Sequence, residues 1–214
     1  NHMEKPVYID MSKYKRLKHF EYFKSLAQPY VGTTCDVDIT AFYDWYKKNK
    51  YPFFLSFLWC ISQAANQVAE FRQRIVSDKI VEFSFCNTSH TVAKEDGTYS
   101  YCRLDGKMKF YEFIEYASIQ QEEARLHGDI EETETQSLLF ISTLPELTYG
   151  ALVQPTPFPA DSNPRITWGK FYARENHIYM PVSVLCNHAL VDGKHIAQFY
   201  QFLDSVITKT INEK

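Results

Sequence analysis

The sequence lacks any segment that would divide it or carry it across a membrane. No stretch rich in proline, glycine and serine interrupts the 214 residues, so the length fits one large domain or two small ones. The most apolar run, residues 51–61, is too short to span a bilayer. No signal peptide is recognisable. We interpret residues 1–3 as left over from expression and residues 4–214 as a single soluble domain.

The spacing of the cysteines and histidines and the net charge exclude further classes of protein. The five cysteines form no Cys-x-x-Cys pair, and an odd number without framework spacing predicts a reducing cytoplasm. A net charge of −3 gives no broad cationic field for nucleic acid. The seven histidines show no metal-ligand spacing, so we expect no metal. No glycine-rich phosphate loop is present, so a nucleotide would be bound by scattered side chains.

Aromatic residues are abundant, with 15 Tyr and 16 Phe in a chain that is 45% hydrophobic. Such side chains either fill a core or line pockets and subunit contacts, and the composition leaves both open.

Periodicity and turn residues predict a mixture of helices and strands. Thr40 is predicted to cap one helix, and Pro52 to lie in the first turn of another. The predicted helices are 18–26, 40–47, 52–70, 110–126 and 193–208. The predicted strands are 34–39, 79–85, 90–94, 98–103, 138–144, 165–174 and 177–189. We interpret 127–136 as a solvated acidic loop and 154–164 as an ordered proline-rich loop. The lack of strict β-α-β alternation predicts an α+β layer fold with a mixed sheet.

The segment 187–193 carries the pattern His-x-x-x-Asp-Gly between an apolar strand and an amphipathic helix. His188 can serve there as a general base, because an unperturbed imidazole has a pKa of about 6.5. The alternative is a core histidine with satisfied nitrogens, but strand ends commonly present functional groups. Ser142 lies in an apolar strand. It is either a buried hydroxyl bonded to a carbonyl or a donor to an oxyanion.

Three separated segments resemble the chloramphenicol acetyltransferase family. Residues 16–21 have the family's Arg-x-x-His-Phe-Glu pattern, 140–145 align with its Asn-x-Ser-x-x-Pro stretch, and His195, Ala197 and Phe199 continue its helix after the glycine. The resemblance covers roughly residues 10–205. It implies a two-layer α+β fold in which helices pack on one face of a mixed β-sheet. It also implies a homotrimer with active sites between subunits, acetyl-CoA as co-substrate, and a small-molecule acceptor, most plausibly chloramphenicol.

The resemblance assigns roles to the residues of the chemical step. His188 would remove the proton of the acceptor hydroxyl, whose oxygen attacks the thioester directly. Ser142 would donate to the oxyanion, and Thr167 would hold a water near it.

The resemblance also assigns supporting residues. Asp192 would pair with Arg16 and hold the turn, rather than complete a Ser-His-Asp triad. Gly193 would be needed for a close approach or a positive φ. The adjacent Cys186 is interpreted as a small buried strand residue.

Binding residues follow from matching positions. The acceptor would contact Phe23, Tyr99 and Glu146, and CoA would contact Lys50, Lys170 and Phe171. Glu146 stands where drug-acetylating members have tryptophan, and a carboxylate there would favour a more polar acceptor. Other departures from those members are Ala93, Lys94, Asn187 and Lys194.

Two other functions stay open at this point. One is the catalytic domain of dihydrolipoamide acyltransferases, although the chain has no lipoyl domain or Pro/Ala-rich linker and keeps the Arg-x-x-His-Phe-Glu opening. The other is a non-catalytic ligand-binding relative, against which the joint presence of Arg16, Ser142, His188 and Asp192 argues.

Overall fold

A computed structural model describes residues 5–213, so the interpretation of residues 1–3 lies outside the described chain. The helices are α1 Leu17–Lys24, α2 Thr40–Asn49, α3 Phe53–Asn66, α4 Phe110–His127 and α5 Gly193–Asn212. The strands are β1 Val7–Tyr8, β2 Tyr30–Asp38, β3 Gln73–Val76, β4 Lys79–Glu82, β5 Thr88–Ala93, β6 Tyr99–Leu104, β7 Leu139–Leu144, β8 Arg165–Gly169, β9 Tyr172–Arg174 and β10 His177–Asn187.

The strands form two sheets. The larger has seven strands in the order β2-β10-β8-β7-β5-β6, with β9 pairing the start of β10. Strand β7 runs parallel to β5 and β8, and the remaining pairs are antiparallel. The smaller sheet has the order β1-β4-β3. The predicted α+β fold with a mixed sheet is confirmed.

The long central strand β10 places apolar side chains on one face of the large sheet and hydroxyls on the other. Val182, Val184 and Cys186 are buried in the core. Because side chains alternate along a strand, Ser183 points to the opposite face. There it is level with Thr167 of β8, which is level with Ser142 of β7. A row of hydroxyl groups therefore crosses the sheet on the face away from the core.

The predicted boundaries of two helices are wrong, and at Asn66 and Thr40 the side chain binds a backbone group from a distant part of the chain. Helix α3 ends at Asn66 rather than residue 70, because the Asn66 amide accepts from Cys86 N (2.7 Å) and donates to Cys86 O (3.0 Å). Pro52 precedes α3 instead of lying in its first turn. Thr40 is the first residue of α2 rather than its cap, and its hydroxyl accepts from Ile178 N at 2.9 Å.

Strand pairing was also incompletely predicted. In the hairpin β3–β4, strand β4 was predicted and strand β3 was not. The turn between them places Ser77 and Asp78 at φ 46° and 62°. Residues 165–174 form two strands, β8 and β9, rather than one. Loop 154–164 has no helix or strand, as predicted.

Candidate active site

His188 directly follows β10 and opens the turn that leads into α5. Its backbone N–H donates to Pro29 O at 2.7 Å, which ties the turn to the chain before β2. Its ring stacks on Phe23, with centroids 3.8 Å apart and planes inclined by 8°. Within residues 5–213, Nδ1 is buried and has no hydrogen-bond partner. Nε2 is then the ring nitrogen that can meet a substrate, and the stacked phenyl ring fixes the plane in which it lies.

Arg16 fastens the far side of this turn. Its guanidinium donates to both carboxylate oxygens of Asp192 (2.7 and 2.8 Å), to Ala189 O (2.8 Å), to His188 O (3.1 Å) and to Tyr14 Oη (2.9 Å). The predicted pair between residues 176 positions apart is present. All five guanidinium donors are used, so one side chain holds three points of the turn.

Electrostatics within the pair favour both charges. Burial alone would raise the pKa of Asp192, but the hydrogen bonds and charge of Arg16 outweigh it and hold that pKa below its usual value. Burial likewise opposes the charge of Arg16, yet its bonds to Asp192 and Tyr14 raise its pKa. The pair therefore stays ionised throughout the neutral range.

Asp192 is close to His188 without being placed for a Ser-His-Asp triad. Its Oδ1 lies 3.6 Å from His188 Nδ1, beyond a good hydrogen bond, and both of its oxygens are bound by Arg16. The reason predicted for Gly193 is wrong. Its φ is not positive, and a Cβ added there would meet nothing within 4 Å, because Gly193 is an ordinary first residue of α5.

Ser142 and Thr167 share a hydrogen bond on the open face of the sheet, with Oγ and Oγ1 2.7 Å apart. Tyr149 lies over them, donating to Thr167 O (3.3 Å) and accepting from Ser183 Oγ (3.1 Å). If Thr167 donates to Ser142, the Ser142 hydroxyl hydrogen is left for a ligand. Parallel register between β7 and β8 is what sets the two hydroxyls side by side.

His188 and Ser142 are far apart within one chain. Ser142, Thr167 and Ser183 are register partners on three neighbouring strands. His188 lies five residues beyond Ser183, which is about 17 Å along the strand. Two strand spacings add about 10 Å sideways, so the Cα atoms are separated by roughly 20 Å. At that separation, the imidazole and this hydroxyl of one protomer cannot reach the same reacting carbonyl group.

The predicted acceptor residues lie on two parts of the chain. Phe23 contacts His188 directly. Tyr99, on edge strand β6, is 51% exposed, and Glu146 is exposed just after β7. Both belong to the part of the sheet that contains Ser142, and not to the turn that carries His188.

A cavity of about 580 Å³ lies beside β7 and was not predicted. Ser89, Tyr101, Phe140 and the acidic loop line it. On that loop Glu132 accepts from Ser89 Oγ (2.6 Å) and Arg103 Nε (2.9 Å), and its side chain is only 9% exposed. The interpretation of this loop as merely solvated is therefore wrong at Glu132, because two side chains from the sheet bind its carboxylate.

The predicted CoA residues are distributed around α2. Phe171 packs edge-on against Tyr43 of α2 (5.4 Å between centroids, 70°) and near Phe53 of α3 (5.7 Å, 55°). Lys50 ends α2 at φ 57° and is exposed, as is Lys170 directly before Phe171. Aromatic faces and free ammonium groups occur in one region, a combination suited to a base and phosphates.

Two residues that hold the turn were not assigned a role from the sequence. Asn187 accepts from Ala189 N (2.9 Å) and donates to Asp161 O (3.0 Å). His195 accepts from Asp192 N at 2.9 Å. A local signal exists for each: asparagine often bonds a backbone N–H two residues on, and a polar residue at the third helical position can reach back to the cap.

Among residues 5–213, no group of three or more His, Cys, Asp or Glu side chains is placed to hold a metal ion. None of the helices described there is both long enough and apolar enough to cross a membrane.

Comparison with known proteins places the chain in a family. The chloramphenicol acetyltransferase family model matches residues 6–204. A chloramphenicol acetyltransferase 2 from Escherichia coli is 30% identical over 205 residues, covering 91% of this chain and 93% of the relative. A solved chloramphenicol acetyltransferase structure is 24% identical and superposes with a TM-score of 0.85, over 95% of this chain and all of the other. The protein is thus an acetyltransferase, and its chain belongs to the chloramphenicol acetyltransferase family.

A more distant structure is a probable dihydrolipoamide acetyltransferase from Listeria monocytogenes. It has a TM-score of 0.64 and 16% identity, over 99% of this chain and 97% of the other. At that identity the likeness concerns the fold alone.

Proposed function

We propose that this protein, acting as a single domain over residues 4–214, transfers the acetyl group of acetyl-CoA to a hydroxyl of chloramphenicol. His188 Nε2 takes the hydroxyl proton, and the oxygen attacks the thioester carbonyl carbon. The tetrahedral oxyanion accepts a hydrogen bond from Ser142. Collapse expels the CoA thiolate, which takes the proton from the imidazolium and leaves the acetyl ester. The observation that carries the proposal is the stacked His188 ring with one accessible nitrogen.

The active site is shared between protomers in this proposal. The separation of roughly 20 Å between His188 and Ser142 supports a site made from the turn of one copy and the sheet face of another. A contact between two different surfaces can repeat from copy to copy until it closes into a ring, and the family resemblance gives the ring three members. Val153 and Phe158, which are 99% and 93% exposed, supply apolar area for such a contact.

Complementation between two inactive variants tests the shared site. His188→Ala and Ser142→Ala protomers, unfolded together at equal amounts and refolded, form mixed rings. Half of the histidines and half of the serines are intact, so about a quarter of the sites are wholly wild type. We expect activity near a quarter of the wild-type value, far above either variant alone. Mixtures no more active than the parents would refute a shared site, and sedimentation of the wild type as a monomer would refute the ring.

Acetyl-CoA binding is proposed at Lys50, Lys170 and Phe171. The two ammonium groups would meet phosphates, and the Phe171 ring would lie against the adenine. Lys50→Ala with Lys170→Ala should raise the KM for acetyl-CoA by about tenfold or more while changing kcat little, because such contacts are equal in ground and transition states. Lys107→Ala is the control, because it also removes a lysine charge but from an exposed loop.

A more polar acceptor is the second candidate. The exposed carboxylate of Glu146 and the Glu132 carboxylate in the cavity beside β7 favour it, because an aryl ring binds best to apolar walls. Thiol release from acetyl-CoA over a panel of hydroxyl acceptors distinguishes the two. Release with chloramphenicol supports the first proposal. Release only with polar acceptors supports the second, and no release from protein that still binds acetyl-CoA would refute both.

The cytoplasmic location stays a prediction from cysteine spacing.

A further inference from the structure

His195 occupies the third position of α5 and is 5% exposed. The first N–H groups of a helix have no partner within the helix. Here the N–H of Asp192 donates to His195 Nδ1 at 2.9 Å. The imidazole thus performs the role that Glu or Gln has in a capping box, and it acts on the residue that Arg16 also holds.

The partner of the other ring nitrogen is Glu70, from a distant part of the chain. His195 Nε2 lies 3.4 Å from Glu70 Oε1. Since Nδ1 accepts a hydrogen bond, the proton of the neutral ring must be on Nε2, where it faces this carboxylate. Glu70 belongs to a 3₁₀ turn, Ala69–Arg72. That turn is fastened to α5 by Phe71 stacking on Phe199, with centroids 5.5 Å apart.

We propose that Glu70 and His195 form a positioning pair that fixes the Asp192 end of the active-site turn, and through it the ring of His188. The inference rests on the proposed role of His188 as the base. Neither residue touches the substrate in this proposal. They act by keeping the backbone of the turn in one position, and displacement of a catalytic group by about 1 Å can cost a hundredfold in rate.

The arrangement requires a neutral His195, because a protonated Nδ1 cannot accept from Asp192 N. Burial lowers the pKa of His195, Glu70 and Asp192 act to raise it, and Lys194 and Arg16 act to lower it, with a net decrease. Protonation of His195 therefore breaks its hydrogen bond with Asp192 N only at pH values below the ordinary pKa of histidine. Two imidazoles, His188 and His195, must then be neutral for full activity.

Two substitutions of His195 separate its two contacts. Asparagine at 195 keeps an acceptor near the Nδ1 position and loses the link to Glu70. Leucine fills much of the space of the ring but offers no acceptor to Asp192 N and no donor to Glu70. We expect His195→Leu to lower kcat by about tenfold to a hundredfold with the KM for acetyl-CoA within about twofold. His195→Asn should lower kcat at pH 8 less than His195→Leu does, because it loses the link to Glu70 but keeps an acceptor for Asp192 N.

The acid limb of the pH profile provides a readout that a merely structural role would not move. For the wild type, log kcat/KM should fall with a slope that approaches two in acid, because two imidazoles are protonated. For His195→Asn the slope should stay at one. Glu70→Gln keeps an acceptor for Nε2–H but removes the charge that raises the pKa of His195. The part of the profile with slope two should then begin at lower pH than in the wild type. His127→Asn, an exposed histidine at the end of α4, is the control.

The outcomes are distinguishable from failure of the proposed function. A fully active His188→Ala would overturn the base assignment itself. With His188→Ala inactive, a wild-type kcat for His195→Leu, or a slope of two in His195→Asn, would overturn the positioning pair alone. If His195→Leu does not fold, the profiles of His195→Asn and Glu70→Gln still decide the question.

Discussion

Substituting Asp192 by Asn tests the ion pair that holds the active-site turn. The change keeps the size of the side chain but removes the charge that Arg16 meets with two hydrogen bonds of 2.7 and 2.8 Å. Breaking a fully buried pair costs about 3–5 kcal/mol. The side chains here are 15% and 32% exposed, so solvent screening reduces this to about 2–3 kcal/mol. For a chain of this length, that corresponds to a decrease in Tm of roughly 4–12 °C.

Thermal unfolding followed by circular dichroism, at one fixed protein concentration, measures the effect. The matched control is Glu122→Gln, which removes the partner of Arg125 from a pair that is 34% and 55% exposed. This control should leave the Tm almost unchanged, because solvent screens an exposed pair. Turnover of Asp192→Asn should fall as well, because the turn presents His188. An equal Tm for both variants, together with wild-type turnover, would refute the reasoning.

The pH dependence of the same variant gives an independent check. The pKa of Asp192 is lowered in the folded state from its reference value of 3.8. The pair therefore contributes its full stability above pH 3.8 and loses it as pH falls towards the folded-state pKa. The difference in unfolding free energy between wild type and Asp192→Asn should be constant from pH 8 to about pH 5 and shrink below pH 4.

The remaining predictions concern the chemical site and its surroundings. Ser142→Ala should lower kcat by about two to three orders of magnitude with little change in KM, as steady-state thiol release would reveal; a smaller loss would argue against an oxyanion donor. Phe23→Leu should lower kcat by freeing the His188 ring, and unchanged kcat with a raised acceptor KM would instead make Phe23 a binding residue. Glu146→Trp should lower the KM for chloramphenicol more than it changes kcat, and an unmoved KM would place Glu146 outside the acceptor site.

The sequence predicted those parts of the site whose signals are local. The apolar run before His188 and the amphipathic pattern after Gly193 place a turn between strand and helix, and the structure has it there. The Arg16–Asp192 pair was predicted from a family resemblance, since no local rule links residues 176 positions apart. The end of α3 was missed because the groups that bind Asn66 lie at Cys86, and helix periodicity carries no information about them.

Glu132 illustrates a limit of interpretation by composition. It lies in a run of charged residues, and most such runs are solvated. Its carboxylate is nevertheless bound by Ser89 and Arg103 from neighbouring strands, because pairing of β5 with β6 brings these two side chains level. Only the register of the sheet distinguishes Glu132 from its exposed neighbour Glu131, and register is a tertiary property.

Asn187 shows why a departure from the family pattern can be silent in the sequence and still matter in the structure. It is one of the departures from drug-acetylating members and directly precedes the base, and the sequence assigned it no role. In the folded chain it is 3% exposed and spans two backbone groups, Ala189 N and Asp161 O. The turn is therefore held by side chains from both ends of the chain: Arg16 before it, and Asn187 and His195 within and after it. Each binds a different backbone or carboxylate atom, so the position of His188 depends on several contacts that no single motif contains.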